Sequence, residues 1–369
     1  MIGIDPDARR IEVVRREDGR RRQEAYDHLM VATGARPVVP DVPGVEAEGI
    51  FGADTLPVGE KIRRYVEIEN PRRAVIVGGG YIGLEMAEAM LACGLEVSLV
   101  EQAAQVMNTL DADMAQRVSE ALETAGVTLH LEEPLEGFEM QNGRLTAVAT
   151  SRRELPADLA VLGIGVRPNT TLAQEAGIPL GFKDGIRVNT RMQTESPGIW
   201  AAGDCVESFH LVSRKPFYVA LGTVANRQGR VAGINIGGGY ATYPGALGTA
   251  ICKVCDVGVA RTGLQEKEIE ALGLEYETET IVSSHRTGYY PDAGRIAVKI
   301  LAEKGSGRLL GGQMVGDIDG VKRIDVLATA LQAEFTVPEM IHLDLSYAPP
   351  FSPVWDPVLV AVRKILKKY

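Results

Sequence analysis

Three glycines and one carboxylate have the types and spacing of a dinucleotide-binding site. Gly78, Gly80 and Gly83 form a Gly-x-Gly-x-x-Gly pattern, and Glu101 follows further along the chain. In such a pattern the first glycine permits a tight turn, the second lets the backbone approach a pyrophosphate, and the third lets a helix pack closely against a strand. A carboxylate at the position of Glu101 accepts hydrogen bonds from a ribose 2′-hydroxyl.

The segments around these residues have the order that such a site requires. Residues 75–77 are apolar and predict a buried parallel strand, residues 84–93 are rich in helix formers, and residues 97–100 predict a second strand. The helix N-terminus would offer free N–H groups and a positive dipole to phosphate. This order makes the pattern more specific than the glycines alone, the alternative being a structural turn without a ligand.

The surroundings of Glu101 favour NADH over NADPH. A carboxylate at this position repels a 2′-phosphate, and residues 101–110 contain no Lys or Arg that would bind one.

Composition narrows the class of protein. The chain has 369 residues, of which 45% are hydrophobic and 24% charged, so we expect two or three ordinary globular domains. The net charge of -10 argues against a nucleic-acid partner. There is neither a bilayer-spanning apolar run nor a signal peptide, and four cysteines do not make a disulfide framework, so we expect no membrane association and a cytoplasmic location.

Patterns elsewhere predict further elements. Asn142-Gly143 predicts a hairpin turn. Hydrophobic patterns also predict strands at 2–14, 23–32 and 248–260 and helices at 218–236 and 320–333.

Three segments resemble the pyridine nucleotide-disulfide oxidoreductases, flavoproteins with two dinucleotide-binding domains. Residues 26–37, with Ala-Thr-Gly-Ala, resemble the segment that leads from the flavin domain into the nicotinamide domain. Residues 199–204, Ile-Trp-Ala-Ala-Gly-Asp, resemble the second flavin signature, and residues 163–169 resemble the return from the nicotinamide domain. The resemblance implies that FAD is contacted by Thr33, Gly34, Gly165, Gly203 and Asp204.

The resemblance also implies the fold. We expect an α/β two-dinucleotide-binding-domain flavoprotein fold, in which a Rossmann-like NAD domain is inserted in a truncated FAD domain, plus a C-terminal α+β dimerisation domain. The expected bounds are 1–50 and 164–238 for the remnant of the FAD domain, 51–163 for the NAD domain and 239–369 for the dimerisation domain.

Residues 347–353, Tyr-Ala-Pro-Pro-Phe-Ser-Pro, resemble a segment shared by coenzyme A-disulfide reductases, persulfide reductases and NADH oxidases. In the coenzyme A-disulfide reductases, tyrosines of the partner subunit approach the reactive sulfur. Tyr347 matches one of them, and Tyr289 is our choice for the other, with Tyr290 as its rival. A phenol can hydrogen-bond a thiolate or donate a proton to it, whereas the alternative is a packed tyrosine bonded to backbone.

Two further residues of the glycine segment match family positions. Tyr81 matches an aromatic residue that gates the flavin face, and Glu85 matches an acid near the nicotinamide. The alternatives are a tyrosine packed over the loop and an exposed helix glutamate.

The resemblance begins partway into the family pattern. The family's N-terminal Rossmann half and its redox cysteine have no counterpart here. Cys252 and Cys255 have CxxC spacing but lie in one predicted strand, where positions three apart face opposite sides, so we do not expect a redox pair or a metal site. Cys93 is expected to pack at a helix end, and Cys205 follows Asp204 without a visible activating base.

The resemblance implies a homodimeric enzyme in which hydride passes from NADH to FAD and then to a small thiol or disulfide, such as coenzyme A disulfide or a persulfide. NADH oxidase is the alternative within the family. A non-catalytic, nucleotide-binding dimeric remnant is the alternative outside it.

Overall fold

The computed structural model describes residues 1–369. Its strands are β1 Gly3–Asp5, β2 Arg10–Val14, β3 Arg21–Ala25, β4 Leu29–Val31, β5 Ala35–Pro37, β6 Ile50–Gly52, β7 Arg73–Val77, β8 Glu96–Glu101, β9 Thr128–Leu131, β10 Leu135–Gln141, β11 Arg144–Thr150, β12 Glu154–Pro156, β13 Leu159–Leu162, β14 Val166–Pro168, β15 Ile199–Ala201, β16 Ser208–Phe209, β17 Pro216–Phe217, β18 Ala250–Val254, β19 Val257–Gly263, β20 Tyr276–Ser284, β21 Arg295–Glu303 and β22 Leu309–Gly316. Its helices are α1 Leu56–Glu69, α2 Tyr81–Ala92, α3 Ala112–Ala125, α4 Thr171–Glu175, α5 Gly222–Ile236, α6 Glu266–Ala271, α7 Ile318–Val321, α8 Ile324–Gln332, α9 Val337–Met340 and α10 Pro357–Ile365.

The chain forms two compact units. The first comprises residues 1–36 and 166–246, and the second comprises residues 37–165 and 247–369. The segments predicted to bind NADH and to form the dimer therefore share one unit. No helix is long and apolar enough to cross a membrane.

The N-terminal part of the second unit has a five-stranded parallel sheet in the order β6-β13-β7-β8-β9. Alternate residues of β7 face opposite sides of this sheet. Ile76 packs with Leu84 of α2 on one side, and Val75 packs with Val148 of β11 on the other. A strand buried on both faces has to be apolar throughout, which is why residues 75–77 predicted it correctly.

The C-terminal part of this unit is α+β. Its antiparallel sheet has the order β18-β19-β22-β21-β20, and α8 and α10 pack on its strands. Together with the parallel sheet it confirms the predicted fold class.

The first unit is built from smaller sheets. β1, β2 and β3 form an antiparallel sheet, β4 pairs in parallel with β15, and Val31 and Ala201 at the ends of this pair belong to one buried cluster.

Several sequence predictions of elements were wrong in their extent. Residues 2–14 form two strands rather than one, because Asp5 accepts a hydrogen bond from the Ala8 N–H and turns the chain. The predicted strand 248–260 is a hairpin of β18 and β19. The predicted helix 320–333 is α7 followed by α8, and the predicted helix 218–236 begins only at Gly222.

Candidate functional site

The glycine turn between β7 and α2 has the geometry predicted for it. Gly78 has a φ of +105°, and a Cβ atom there would lie 2.6 Å from the carbonyl oxygen of Gly163. A Cβ atom on Gly83 would lie 1.9 Å from the carbonyl oxygen of Gly78. A Cβ atom on Gly80 would meet no protein atom closer than 3.9 Å. The first and third glycines thus permit close packing, while the second leaves open space at the helix N-terminus.

Helix α2 begins at that open space. Its N-cap is Gly80, and no side chain caps the helix. The first N–H groups of a helix have no acceptor within the helix and carry the positive end of its dipole. The structure therefore fits a bound pyrophosphate, which would lie against these groups.

Glu101 has backbone partners that the sequence did not indicate. The residue is 8% exposed. Its Oε2 accepts a hydrogen bond from the Gly79 N–H at 2.8 Å, and its Oε1 accepts one from the Ala103 N–H at 2.9 Å. Glu101 thus fixes the glycine turn. Each carboxylate oxygen can accept a second hydrogen bond, so Glu101 could still bind a ribose hydroxyl, and that role stays a prediction.

Tyr81 and Glu85 both lie on α2. The Tyr81 side chain is partly buried, its hydroxyl lies 3.4 Å from Oγ1 of Thr109, and burial raises its pKa. Glu85 is exposed. Neither observation tests their predicted roles.

The residues predicted to contact flavin are distributed between the two units. Thr33 donates from Oγ1 to the carbonyl oxygen of Asn169 at 2.5 Å, and Gly203 donates its N–H to Oε1 of Gln228 at 2.9 Å. Gly34 and Gly165 both have positive φ, at +68° and +98°, with no atom within 4 Å of an added Cβ.

Asp204 provides the test of whether this region fits a flavin. Its Oδ1 is buried without a hydrogen-bond partner, and burial raises the pKa of the carboxyl. A buried acceptor of this kind requires a donor. The ribityl hydroxyls of a flavin would supply one, so the residues present fit that group.

The two candidate tyrosines lie on neighbouring loops. Thr287 donates its N–H to the carbonyl oxygen of Pro349 at 3.2 Å, and its Oγ1 donates to that of Ser352. Arg323 joins the loops a second time, because its Nη2 donates to the carbonyl oxygens of His285 and Phe351. On these loops Tyr289 is 78% exposed and Tyr347 is 47% exposed, so packing against the chain's own core does not explain either side chain.

All four cysteines are free thiols. Cys205 is buried, its thiol donates to the carbonyl oxygen of Ala202, and burial raises its pKa. Burial, and to a lesser extent Glu85, raises the pKa of Cys252 to about 12. Cys93 was expected to pack but is exposed.

Cys255 corrects one detail of the sequence analysis. It lies in the turn between β18 and β19 with a φ of +50°, not in a strand. Because Cys252 belongs to the extended strand β18, their Cα atoms are separated by roughly 9–10 Å, beyond the reach of a disulfide at about 7 Å.

One group of potential metal ligands is engaged within the protein. His285, Asp317 and Asp319 have ligand atoms within 4.8 Å of one another. His285 accepts a hydrogen bond from Nε of Arg286 at 2.6 Å, and its other ring nitrogen lies 3.1 Å from the carbonyl oxygen of Gly294. Both imidazole nitrogens therefore have protein partners.

Sequence reasoning missed a set of polar residues in the C-terminal sheet. Arg261, Lys299 and Gln313 are buried in strands that are otherwise largely apolar, and all three contact the segment that follows Glu101 toward α3. A polar residue inside an apolar strand was the available signal.

Comparison with known families agrees with this architecture. Residues 1–229 match the model described as pyridine nucleotide-disulphide oxidoreductase, and residues 249–357 match the model of the dimerisation domain of the same family.

Individual relatives are similar over nearly the whole chain. The NAD(P)H coenzyme A polysulfide/persulfide reductase of Pyrococcus horikoshii is 39% identical over 94% of this chain and 78% of the relative. The NADH oxidase of Methanocaldococcus jannaschii is 35% identical over 100% of this chain and 82% of the relative. Among solved structures, the NAD-dependent persulfide reductase from A. fulgidus is 40% identical with a TM-score of 0.96, over 99% of this chain and 68% of that chain.

Proposed function

Because the chain belongs to the pyridine nucleotide-disulphide oxidoreductase family, we propose that it is an NAD(P)H-dependent flavoprotein oxidoreductase acting on a coenzyme A disulfide, persulfide or polysulfide. The observation that carries the proposal is the glycine turn of Gly78, Gly80 and Gly83. It leaves the N-terminus of α2 open to a pyrophosphate, with Glu101 fixed beside it. NADH is the preferred donor, because residues 101–110 contain no Lys or Arg that would bind the 2′-phosphate of NADPH.

In this proposal, separate sets of residues bind NADH and FAD. Gly80 and the α2 N-terminus bind the NADH phosphates, and Glu101 binds the adenosine ribose. Thr33, Gly34, Gly165, Gly203 and Asp204 would hold FAD, which would supply the hydride and electron transfer between NADH and a sulfur or oxygen acceptor. Tyr81 and Glu85 lie at the nicotinamide end.

The sulfur acceptor is supported by the relatives and by two tyrosines. Relatives that are 39% and 27% identical are named as a coenzyme A polysulfide/persulfide reductase and a coenzyme A disulfide reductase. Tyr289 and Tyr347 lie on neighbouring loops with their side chains exposed. In a homodimer these phenols hydrogen-bond or protonate the thiolate at the partner's site.

A nucleotide-binding protein without thiol turnover is the second candidate function. It is favoured by the cysteines, because burial raises the pKa values of Cys205, Cys252 and Cys255. A thiol with a raised pKa is a weak nucleophile near neutral pH.

The experiment is a titration of the purified chain with FAD and then with NADH, followed by assays of NADH consumption. A flavin absorbance band that bleaches with NADH, and consumption that depends on coenzyme A disulfide under anaerobic conditions, are the expected results. Consumption only with oxygen identifies an NADH oxidase instead. NADH binding without flavin or turnover identifies the second candidate, and no NADH binding contradicts both.

A variant pair locates the NADH site. Glu101→Gln retains one acceptor but cannot accept from Gly79 and Ala103 with both atoms, so we expect NADH affinity to fall about tenfold. Glu96→Gln, at the exposed start of the same strand, should leave the affinity unchanged. Equal NADH affinities of the two variants would show that Glu101 does not belong to the NADH site.

A further inference from the structure

A row of polar side chains crosses the C-terminal sheet. Arg261 on β19 pairs with Gln313 on β22, Gln313 pairs with Lys299 on β21, and Lys299 pairs with Thr280 on β20. Arg261, Gln313 and Lys299 are each less than one-tenth exposed. We call these four residues the polar row.

Every member of the polar row contacts the segment that joins β8 to α3 or the first turn of α3. Arg261 donates from Nη1 to the carbonyl oxygen of Thr109 at 2.9 Å. The amide of Gln313 accepts from the Asp111 N–H at 2.9 Å and donates to Oδ2 of Asp111 at 2.7 Å. Lys299 lies 2.7 Å from Oδ1 of Asp113, and Thr280 donates to Oδ2 of Asp113 at 2.8 Å.

The same segment contacts the glycine turn on its other side. The Met107 N–H donates to the carbonyl oxygen of Gly79 at 2.7 Å, and Val106 packs so closely that a Cβ atom on Gly79 would lie 3.0 Å from it. Thr109 reaches Tyr81, with the two hydroxyls 3.4 Å apart. Thr109 therefore connects Arg261, through its carbonyl, with Tyr81, through its hydroxyl.

We propose that Arg261 is a positioning residue for the NADH site, which it reaches from the C-terminal sheet by fixing Thr109 and, through Thr109, Tyr81 and the glycine turn. The guanidinium suits this role because two further bonds hold it, from Nη2 to the carbonyl oxygen of Gly263 at 2.7 Å and to Glu268 at 3.0 Å. A fixed loop binds a ligand more tightly than a mobile one, because less conformational freedom is lost on binding. The proposal rests on the proposed NADH site.

The test compares Arg261→Lys with Arg308→Lys in the full chain. A lysine cannot reproduce the planar fork of Arg261, so NADH affinity should fall about tenfold. Arg308 forms an ion pair with Glu303 at 3.3 Å on β21 and contacts neither Thr109 nor Tyr81, so its variant should bind NADH like the wild type. In a double-mutant cycle, Arg261→Lys should weaken binding less in a Tyr81→Phe background, which lacks the hydroxyl.

A second readout needs no NADH. 3-Fluorotyrosine placed at position 81 should give a ¹⁹F resonance that shifts in Arg261→Lys and not in Arg308→Lys. The proposal would be overturned if Arg261→Lys and Arg308→Lys bound NADH with equal affinity, or if the effects of Arg261→Lys and Tyr81→Phe were additive. An unchanged ¹⁹F resonance in Arg261→Lys would overturn it as well. If Arg261→Lys does not fold, Thr109→Val tests the other half of the connection, because it replaces the hydroxyl that reaches Tyr81 with a methyl group and keeps the carbonyl that Arg261 binds. It should shift the same resonance, and an unmoved resonance in this variant would also overturn the proposal. A wild type that does not bind NADH contradicts the proposed function, whereas the ¹⁹F comparison still decides the role of Arg261.

Discussion

Gly83 shows how one residue type can be required by geometry alone. A Cβ atom there would lie 1.9 Å from a backbone oxygen, a contact that no side-chain rotation relieves. We therefore expect Gly83→Ala to separate α2 from β7, to lower the free energy of unfolding by about 2–3 kcal/mol and to weaken NADH binding. Denaturant unfolding and NADH titration of the variant measure both effects.

Gly59 is the matched control for that substitution. It lies in α1 with no atom within 4 Å of an added Cβ. Because alanine is the better helix former, Gly59→Ala should raise the free energy of unfolding by about 0.5–1 kcal/mol and leave NADH binding unchanged. Similar effects of the two substitutions would show that the close approach at Gly83 is not maintained in solution.

At the residue scale, sequence reasoning succeeds where a residue type has one steric purpose. The glycine spacing predicted the turn because few other residues permit it. It did not predict that Glu101 would accept bonds from Gly79 and Ala103, because the directions of two backbone N–H groups depend on the folded turn. The contact of Arg261 with Thr109 joins positions far apart in the chain, and no local pattern encodes it.

At the scale of elements, Asp158 links the starts of β13 and β7. Its Oδ2 accepts from the N–H groups of Arg72 and Arg73, and its Oδ1 lies 2.9 Å from the Arg73 guanidinium. The hydrogen bond from Arg73 is the main reason that the pKa of Asp158 is lowered. A lowered pKa means that the folded state favours the charged carboxylate.

The stability contributed by Asp158 should therefore depend on pH in one direction. It is fully present above the unfolded-state pKa of about 3.9 and is lost as pH falls below that value toward the folded-state pKa. We expect Asp158→Asn to cost about 1–2 kcal/mol at pH 7 and to differ little from the wild type near pH 2.5. Urea unfolding between these pH values measures the difference. A pH-independent cost for Asp158→Asn would contradict the assignment.

Lys299 joins the C-terminal sheet to α3 and α6. Its ammonium lies 3.2 Å from Asp111, 2.7 Å from Asp113 and 2.9 Å from Glu266. Lys299→Met would leave these carboxylates without their shared cation, which should cost about 3–5 kcal/mol in the free energy of unfolding. Lys304→Met, which removes an exposed pair with Glu275, should cost less than about 1 kcal/mol. Equal costs would show that Lys299 is not shielded from water.

Local signals predicted elements well only where they were strong. Asn142-Gly143 gave the β10–β11 hairpin correctly, since both residues have positive φ, at +54° and +80°. Cys255, in the turn between β18 and β19, also has positive φ. Because cysteine rarely adopts that conformation, the sequence contained no turn signal there, and the hairpin was predicted as one strand. Helix 320–333 divides near Arg323, whose guanidinium binds Asp356 at 2.7 Å, a contact across distant sequence.

At the scale of the whole molecule, local patterns and the family resemblance together predicted the fold class. A strand, a glycine turn, a helix and a second strand indicate a parallel sheet, whereas the α+β C-terminal part was expected from the resemblance. The order did not predict that residues 37–165 and 247–369 would form one compact unit. That association depends on contacts such as those of the polar row, which join segments well separated in sequence.

The exposed aromatic surface of the C-terminal part leads to a prediction about assembly. Phe351 is 73% exposed, and Tyr289, Tyr347, Val354 and Trp355 are exposed with it. An apolar surface of this kind marks an interaction site, and residues 249–357 match the family's dimerisation domain. We therefore expect the wild-type chain to be a homodimer in sedimentation velocity runs over a range of concentrations. Phe351→Asp should raise the dimer dissociation constant at least about thirtyfold, because it places a charge among apolar groups.

The matched control for this surface is Ile68→Asp on α1. Ile68 is 67% exposed, so the substitution changes charge and hydrophobicity in the same way at a position outside the dimerisation domain. It should leave the dimer intact, while thermal unfolding checks that both variants are folded. A monomeric wild type would contradict the homodimer, and a Phe351→Asp variant that dimerises like the wild type would exclude this surface from the interface. Loss of the dimer should also abolish any turnover that depends on Tyr289 and Tyr347, because these tyrosines act at the partner's site in the proposed enzyme.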